Sequence, residues 1–220
     1  MERIPEHDLM DNAEQARAYA ETDFSEAHNA FVSHFISRFP DFREGNVLDL
    51  GCGTADVIIR FAEAFPKTHI TGIDGAQAML DLGLHDIEKR GYGGQIRLQK
   101  CLLPGHPFQS MCFDAVISNS LLHHLNNPLI LWDTIKDCAR QGTPIFVMDL
   151  MRPYSVEKAE DLVNLYAGDA SPILKKDFYN SLLAAYRTDE IIEQVKTAGL
   201  DYLTVEVASD RHLLVWGTKR

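Results

Sequence analysis

The chain has 220 residues, enough to bury the core of one α/β domain with added helices. With 45% hydrophobic and 24% charged residues it has the composition of a globular protein, and no apolar run nears the roughly 18 residues that span a bilayer. A formal net charge of −11 repels a phosphate backbone, which argues against a nucleic-acid partner and for a small molecule.

The opening stretch, MERIPEHDLMDNAEQ, is polar and acidic where a secretory signal carries a basic start and an apolar run, so the expected location is the cytoplasm. Residues 11–40 read as helix, with Phe24, His28, Phe31, Phe35 and Phe39 recurring at the spacing of one helical face. Val47-Leu48-Asp49-Leu50 is a short buried-strand pattern ending in Gly51-Cys52-Gly53. Val57, Ile58, Phe61, Ala62 and Phe65 mark a helix closed by Pro66, and residues 69–73 give a second strand. The alternation continues with a helix over about 76–89 and strands near 96–98 and 114–118. A further helix has Asn127 as N-cap, Pro128 as its first residue and Gly142 past its end, and residues 145–149 form the next strand. Residues 155–186 read as an insertion of two short helices broken by Gly168 and Pro172. A helix over 188–198 stops at Gly199, and strands at 203–207 and 213–216 close the chain as a hairpin turning near Ser209-Asp210-Arg211.

Strands alternating with helices predict a doubly wound, Rossmann-like sheet of seven strands, mostly parallel with an antiparallel last strand, and a ligand site at the strands' carboxyl ends. The expectation is a single domain over 1–220. It comprises a helical lid at 1–42, a cofactor-binding core at 45–150, the insertion at 155–186, and the last helix and hairpin at 188–220. Cys52, Cys101, Cys112 and Cys138 have no CxxC or paired spacing, so reduced thiols are expected rather than a disulfide framework or a zinc ribbon.

The stretch VLDLGCGTAD joins a buried strand, an acid near its end and glycines that allow a tight turn against a ligand. A nicotinamide-type GxGxxG wants a third glycine where Asp56 stands, and a pyrophosphate is repelled by these acids. Asp74 ends the second strand, where an acid meets ribose hydroxyls in such folds. Together the two acids suit a nucleoside with a ribose and an amine but no phosphate.

These residues resemble the class I S-adenosylmethionine-dependent methyltransferases, particularly the small-molecule branch similar to ubiquinone and menaquinone biosynthesis methyltransferases. The resemblance implies that Asp49, Gly51, Cys52 and Gly53 approach the methionyl part of S-adenosylmethionine. It also implies that Asp74 meets the ribose, with Gly75, Ala76 and Met79 beside the adenine. Lys100-Cys101-Leu102 stands where the family often has an acid for the adenine amino group, which brings Cys101 and Leu102 to the cofactor. PFQSMCFDAVISNSLLHHL resembles the fourth-strand motif and places Ser118, Asn119 and Ser120 under the methyl donor.

On the acceptor side, adjacent His123 and His124 on a helical turn point about 100° apart, so at most one faces the site. With no cysteine or acid nearby in sequence at ligand spacing, no metal is expected. Similarity to family members with a histidine at this point makes His124 the candidate base, helped by Tyr19 if the first helix folds over the pocket. Tyr19 packed in the core is the alternative. If the last strand lies antiparallel to the fifth, Arg211 and His212 approach Arg152 on the site face and bind an anionic group, or else pair with Asp149 or Asp210. Tyr179, on the insertion, is a further acceptor candidate.

The implied reaction is in-line methyl transfer to a small molecule, leaving S-adenosylhomocysteine, by a monomer or homodimer. Two rivals stay open: an RNA methyltransferase, although no NPPY-type motif follows the fourth strand, where SNSL stands, and a noncatalytic S-adenosylmethionine-binding subunit.

Overall fold

The computed structural model describes residues 1–6, 11–108 and 112–220. Seven strands form one sheet in the order β3-β2-β1-β4-β5-β7-β6. The central strands are β1 (Glu44–Leu50), β2 (Lys67–Asp74), β3 (Ile96–Lys100), β4 (Ala115–Asn119) and β5 (Pro144–Leu150), all parallel. β7 (His212–Thr218) runs antiparallel to β5 and to β6 (Thr204–Val207). β1 shows why the middle of the sheet is parallel. Val47, Leu48 and Leu50 are all fully buried, so both faces of the strand are covered by helices.

On one face, α2 (Ser25–Arg38), α3 (Asp56–Ala64) and α4 (Gln77–Arg90) cover the sheet. Phe31 and Phe35 of α2 meet Phe146 of β5 edge-on at 4.9 and 5.7 Å, and Phe35 also meets Phe61 at 4.8 Å. The predicted phenylalanine stripe is this contact. On the other face Trp132 and Ile135 of α5 (Leu129–Cys138) and Ile191 and Val195 of α8 (Thr188–Thr197) cover Leu48, Val116 and Val147. The insertion is α6 (Val156–Ala167) and α7 (Pro172–Ala184), which pack on each other.

Two predicted elements change. The single helix over 11–40 is two, α1 (Ala13–Ala20) and α2, separated at Glu21–Phe24. Asn12 caps α1, and Asp23 accepts the Ser25 N–H at 2.9 Å, so polar side chains take up the backbone groups at the break. α1 carries no phenylalanine stripe and packs on α4 and α7 instead. At the other boundary, α5 starts one residue late: Pro128 takes the cap position, and Asn127 Oδ1 accepts the Leu129 N–H at 3.1 Å. Among the described residues no helix is long and apolar enough to cross a membrane, and all four cysteines are free thiols.

Candidate active site

β1 has β2 on one side and β4 on the other, so the strand order reverses there. The helices that follow β1 and β4 leave to opposite faces, and a crevice opens past the strands' carboxyl ends. A cavity of about 530 Å³ occupies that position, walled by the ends of β1, β2, β4 and β5 and by residues of α1, α6 and α7.

The cofactor wall is built mainly by the loop after β1. Gly51 (φ +77°) and Gly53 (φ +51°) take a left-handed backbone that other residues adopt at a cost, and a Cβ on Gly51 would lie 2.8 Å from Leu121 Cβ. The turn thus stays thin at the cavity, with Cys52 between the glycines. Asp74, at the end of β2, braces it from behind: Oδ2 accepts the Gly53 N–H at 2.9 Å and Oδ1 accepts the Ala76 N–H at 2.8 Å. Burial raises the Asp74 carboxyl, and these N–H groups oppose the shift.

Asp49 has no such support. It is 1% exposed, yet its Oδ1 has no hydrogen-bond partner among the described residues. Burial, and then the neighbouring charge of Asp74, pushes its carboxyl up to about 8. A buried acceptor left without a donor is costly in a finished structure, and a cationic ligand amine in the adjoining cavity satisfies it. A nucleoside with an amine therefore fits these residues. Gly75, Ala76, Met79, Cys101 and Leu102 line the same side, as expected, and Asn119 and Ser120 lie at the end of β4. Ser120 sits at φ +58°, an uncommon backbone for a residue with a side chain, fixed by its N–H to the Met148 carbonyl at 2.9 Å. Ser118 does not reach the cavity: it is fully buried and donates to the Leu50 carbonyl at 2.8 Å, tying β4 to β1.

The acceptor side departs further from expectation. His123 and His124 form a 3₁₀ turn, Leu122–His124, and both line the cavity with their rings 4.1 Å apart. The expected divergence fails because each ring is drawn by its own carboxylate. Buried Asp149, at the end of β5, lies 2.7 Å from His123 Nδ1, and Glu6 lies 3.4 Å from His124 Nδ1. Burial and the adjacent His123 hold the His124 imidazolium well below the usual histidine range. Tyr19 also lines the cavity, its ring 4.6 Å from Phe24, and burial pushes its hydroxyl up to about 12.

Arg152 is not in the site. β5 and β7 pair as expected, with Leu150 opposite His212, but Arg152 lies beyond the strand and turns inward. Its guanidinium, 1% exposed, is held by Glu190 of α8 at 2.6 Å and the Ala185 carbonyl at 3.1 Å. The first turn of α8 thus captures it. Tyr179 is also misplaced, packing among α6, α7 and Met1. Arg211 and His212 do line the cavity. Arg211 lies 3.3 Å over the Tyr166 ring and pairs with Asp210 at 3.1 Å, and burial pushes His212 down to about 4.

Glu6 was not legible as a site residue. Neither was His28, which lines the cavity and is bound by Asp56 at 2.7 Å. Arg60 reaches the same Asp56 oxygen at 2.7 Å, and the hydrogen bonds from His28 and Arg60 overcome burial to bring that carboxyl down to about 2.

A family model described as a methyltransferase domain matches residues 47–142, the segment that supplies the thin turn, both acids and the histidine turn. Over that segment the chain is similar to methyltransferase domains. It is 26% identical over 153 residues to a ubiquinone/menaquinone biosynthesis C-methyltransferase of Geotalea daltonii, a match over 68% of this chain and 63% of that one. It is 28% identical over 121 residues to a malonyl-[acyl-carrier protein] O-methyltransferase of Bacillus cereus, covering 50% of this chain and 38% of the relative. The chain thus spans less than two thirds of either relative. A crystal structure of a SAM-dependent methyltransferase from Aquifex aeolicus superposes with a TM-score of 0.69 at 16% identity, over 91% of this chain and 96% of that one, and shares the fold.

Proposed function

We propose that the protein transfers the methyl group of S-adenosylmethionine to a small acceptor by in-line displacement, in the cytoplasm. The bound cofactor supplies a methyl group activated on a sulfonium, and this domain's residues divide the remaining work. Asp49 accepts from the ligand amine and Asp74 from the ribose hydroxyls, while Gly51 and Gly53 let backbone approach. Ala76, Met79, Cys101 and Leu102 form the edge against the base. Asn119 and Ser120 form the floor beneath the reacting atoms. The carrying observation is the buried Asp49 Oδ1 at the carboxyl end of β1, which has no hydrogen-bond partner among the described residues.

Because the leaving group is cationic, positioning supplies much of the rate, and a base is needed only for a protonated acceptor. In that case His124 takes the proton, with Tyr19 closing the pocket over it. Arg211 meets an anionic end of the acceptor, since among the described residues lining the cavity it is the only arginine or lysine. α1, α6 and α7 act as the lid that excludes water. The net charge of −11 and the absence of a basic cavity wall favour a small acceptor over RNA.

Calorimetric titration tests the cofactor half. S-adenosylmethionine and S-adenosylhomocysteine are expected to bind one per chain, and Asp74→Ala to weaken both. Incubation with labelled methyl donor and fractionated metabolites tests the acceptor half. Binding of NAD but of neither nucleoside would sink the reading, whereas cofactor binding with no labelled product from any fraction would point to a noncatalytic subunit.

A further inference from the structure

We infer that the histidine end of the cavity is a site for one divalent cation of the zinc class, held by Glu6, His123 and His124. The ligand atoms of these three residues lie within 4.8 Å of one another, although Glu6 stands near the start of the chain and the histidines near its middle. Their spacing suits a metal better than a hydrogen bond. His124 Nδ1 and Glu6 Oε2 are 3.4 Å apart, against about 2.9–3.0 Å for a good N–H···O bond. Two ligands at about 2.0–2.1 Å from a tetrahedral ion stand about 3.3–3.4 Å from each other.

The surroundings are those of a braced ligand set. Asp149 fixes His123 through Nδ1 at 2.7 Å, which orients the ring and leaves Nε2 as the other ring nitrogen for a ligand. Asp149 is itself held by the N–H groups of Leu122 at 2.7 Å and Leu150 at 2.8 Å. Metal-bound histidines are commonly steadied by a carboxylate on the other ring nitrogen. Glu6 is steadied as well, with Ser181 Oγ donating to Oε2 at 3.1 Å. Its segment is fastened to the same turn. Arg3 donates to the His123 carbonyl at 2.8 Å and lies 4.1 Å over the Tyr186 ring, and the Ile4 N–H donates to the Leu183 carbonyl at 3.0 Å. Long-range contacts thus deliver the carboxylate to two imidazoles.

Two imidazoles and one carboxylate select zinc, cobalt, iron(II) or nickel over magnesium or calcium, which prefer oxygen ligands throughout. Three protein ligands leave a tetrahedral ion one open position, and here it faces the acceptor cavity. Resting on the proposed methyl transfer, an acceptor oxygen bound at that position would lose its proton to solvent more readily, and the cation would replace His124 as the activating group. Cation binding itself does not depend on that reading.

The test uses the full chain freed of metal with a chelator, then titrated with Zn²⁺ by calorimetry and with Co²⁺ by visible absorption. One Zn²⁺ per chain is expected, with a tetrahedral Co²⁺ spectrum. Glu6→Gln and His124→Ala should each weaken binding at least about 100-fold, because losing a ligand costs more than losing an outer partner, which is worth about 10–100-fold. The exposed control His85→Ala should bind like the unaltered chain. Glu6→Gln should keep its circular dichroism and its S-adenosylhomocysteine affinity, which separates a lost ligand from a lost fold. Zn²⁺ uptake equal in the unaltered chain and in the Glu6→Gln/His124→Ala double variant overturns the site. That result leaves methyl transfer standing with His124 as the base, while Zn²⁺ binding without nucleoside binding would leave the site standing alone.

Discussion

Raising the pH from about 5.5 to about 7.5 should tighten S-adenosylmethionine binding roughly 50-fold, and Asp49 is the reason. In the free chain its carboxyl is pushed up to about 8, so the neutral form dominates below that pH. A cationic amine prefers the carboxylate, so the binding-competent fraction is the ionised one. That fraction is about a tenth at pH 7 and about a hundredth at pH 6, and apparent affinity falls in proportion. The sign follows directly: binding expels a proton, so affinity climbs about tenfold per unit and levels off near pH 8. The window stops at about 7.5 because an α-amine itself loses its proton near 7.7–8.0. Calorimetry in two buffers of different ionisation enthalpy should count about 0.8 proton released per ligand at pH 7, the loss from Asp49 less the small uptake by the amine. Asp49→Asn keeps the shape, loses the titration and should abolish the slope. A flat affinity in the unaltered chain over this window, with heats independent of buffer, would refute the reasoning.

Arg152→Met should act on folding rather than on the acceptor. It strands Glu190 beside a buried site and is expected to cost roughly 2–4 kcal/mol, less than a fully buried pair because Glu190 is 31% exposed, read as a fall in denaturation midpoint at unchanged acceptor KM. Arg211→Met should raise the KM of an anionic acceptor and leave cofactor affinity alone, and equal KM values would remove Arg211 from recognition. In metal-free protein His124→Ala should lower kcat about 10²–10⁴-fold for a protonated acceptor, with His123→Ala judged separately because it also unpairs Asp149. Ser120→Gly relieves the φ +58° backbone and should raise the melting temperature, about 1 kcal/mol in stability, while lowering turnover through a looser floor.

The cofactor half of the site was readable because its signals are local. Val47 to Gly53 give strand, acid and turn within one stretch, and Asp74 ends the next strand. The parallel sheet follows from the alternation of elements, and the antiparallel last strand from the closing hairpin. What escaped depends on residues far apart in the chain. Arg152 stands just past the end of β5, near the site, but the capture by Glu190 of α8 belongs to a helix whose docking no local pattern announces. His123 and His124 looked like a divergent pair because neither Asp149 nor Glu6 is near them in sequence. The break at Glu21–Phe24 was hidden by a phenylalanine stripe that begins at Phe24 and so gives no information about α1.

The cavity's two walls are made of different material, and that sets how each responds to mutation. The wall toward Asp49 and Asp74 is the termini of strands whose backbones are also the rungs of the sheet, so a change there disturbs the scaffold along with the site. The opposite wall, from α1, α6 and α7, contributes no rung, and its side chains can be exchanged with the sheet left intact. Substitutions that retune what enters the cavity can therefore accumulate on the helical wall one at a time, each passing through a folded, cofactor-competent intermediate. A change of acceptor lies a short mutational walk away, whereas a change of cofactor would require rebuilding the centre of the molecule.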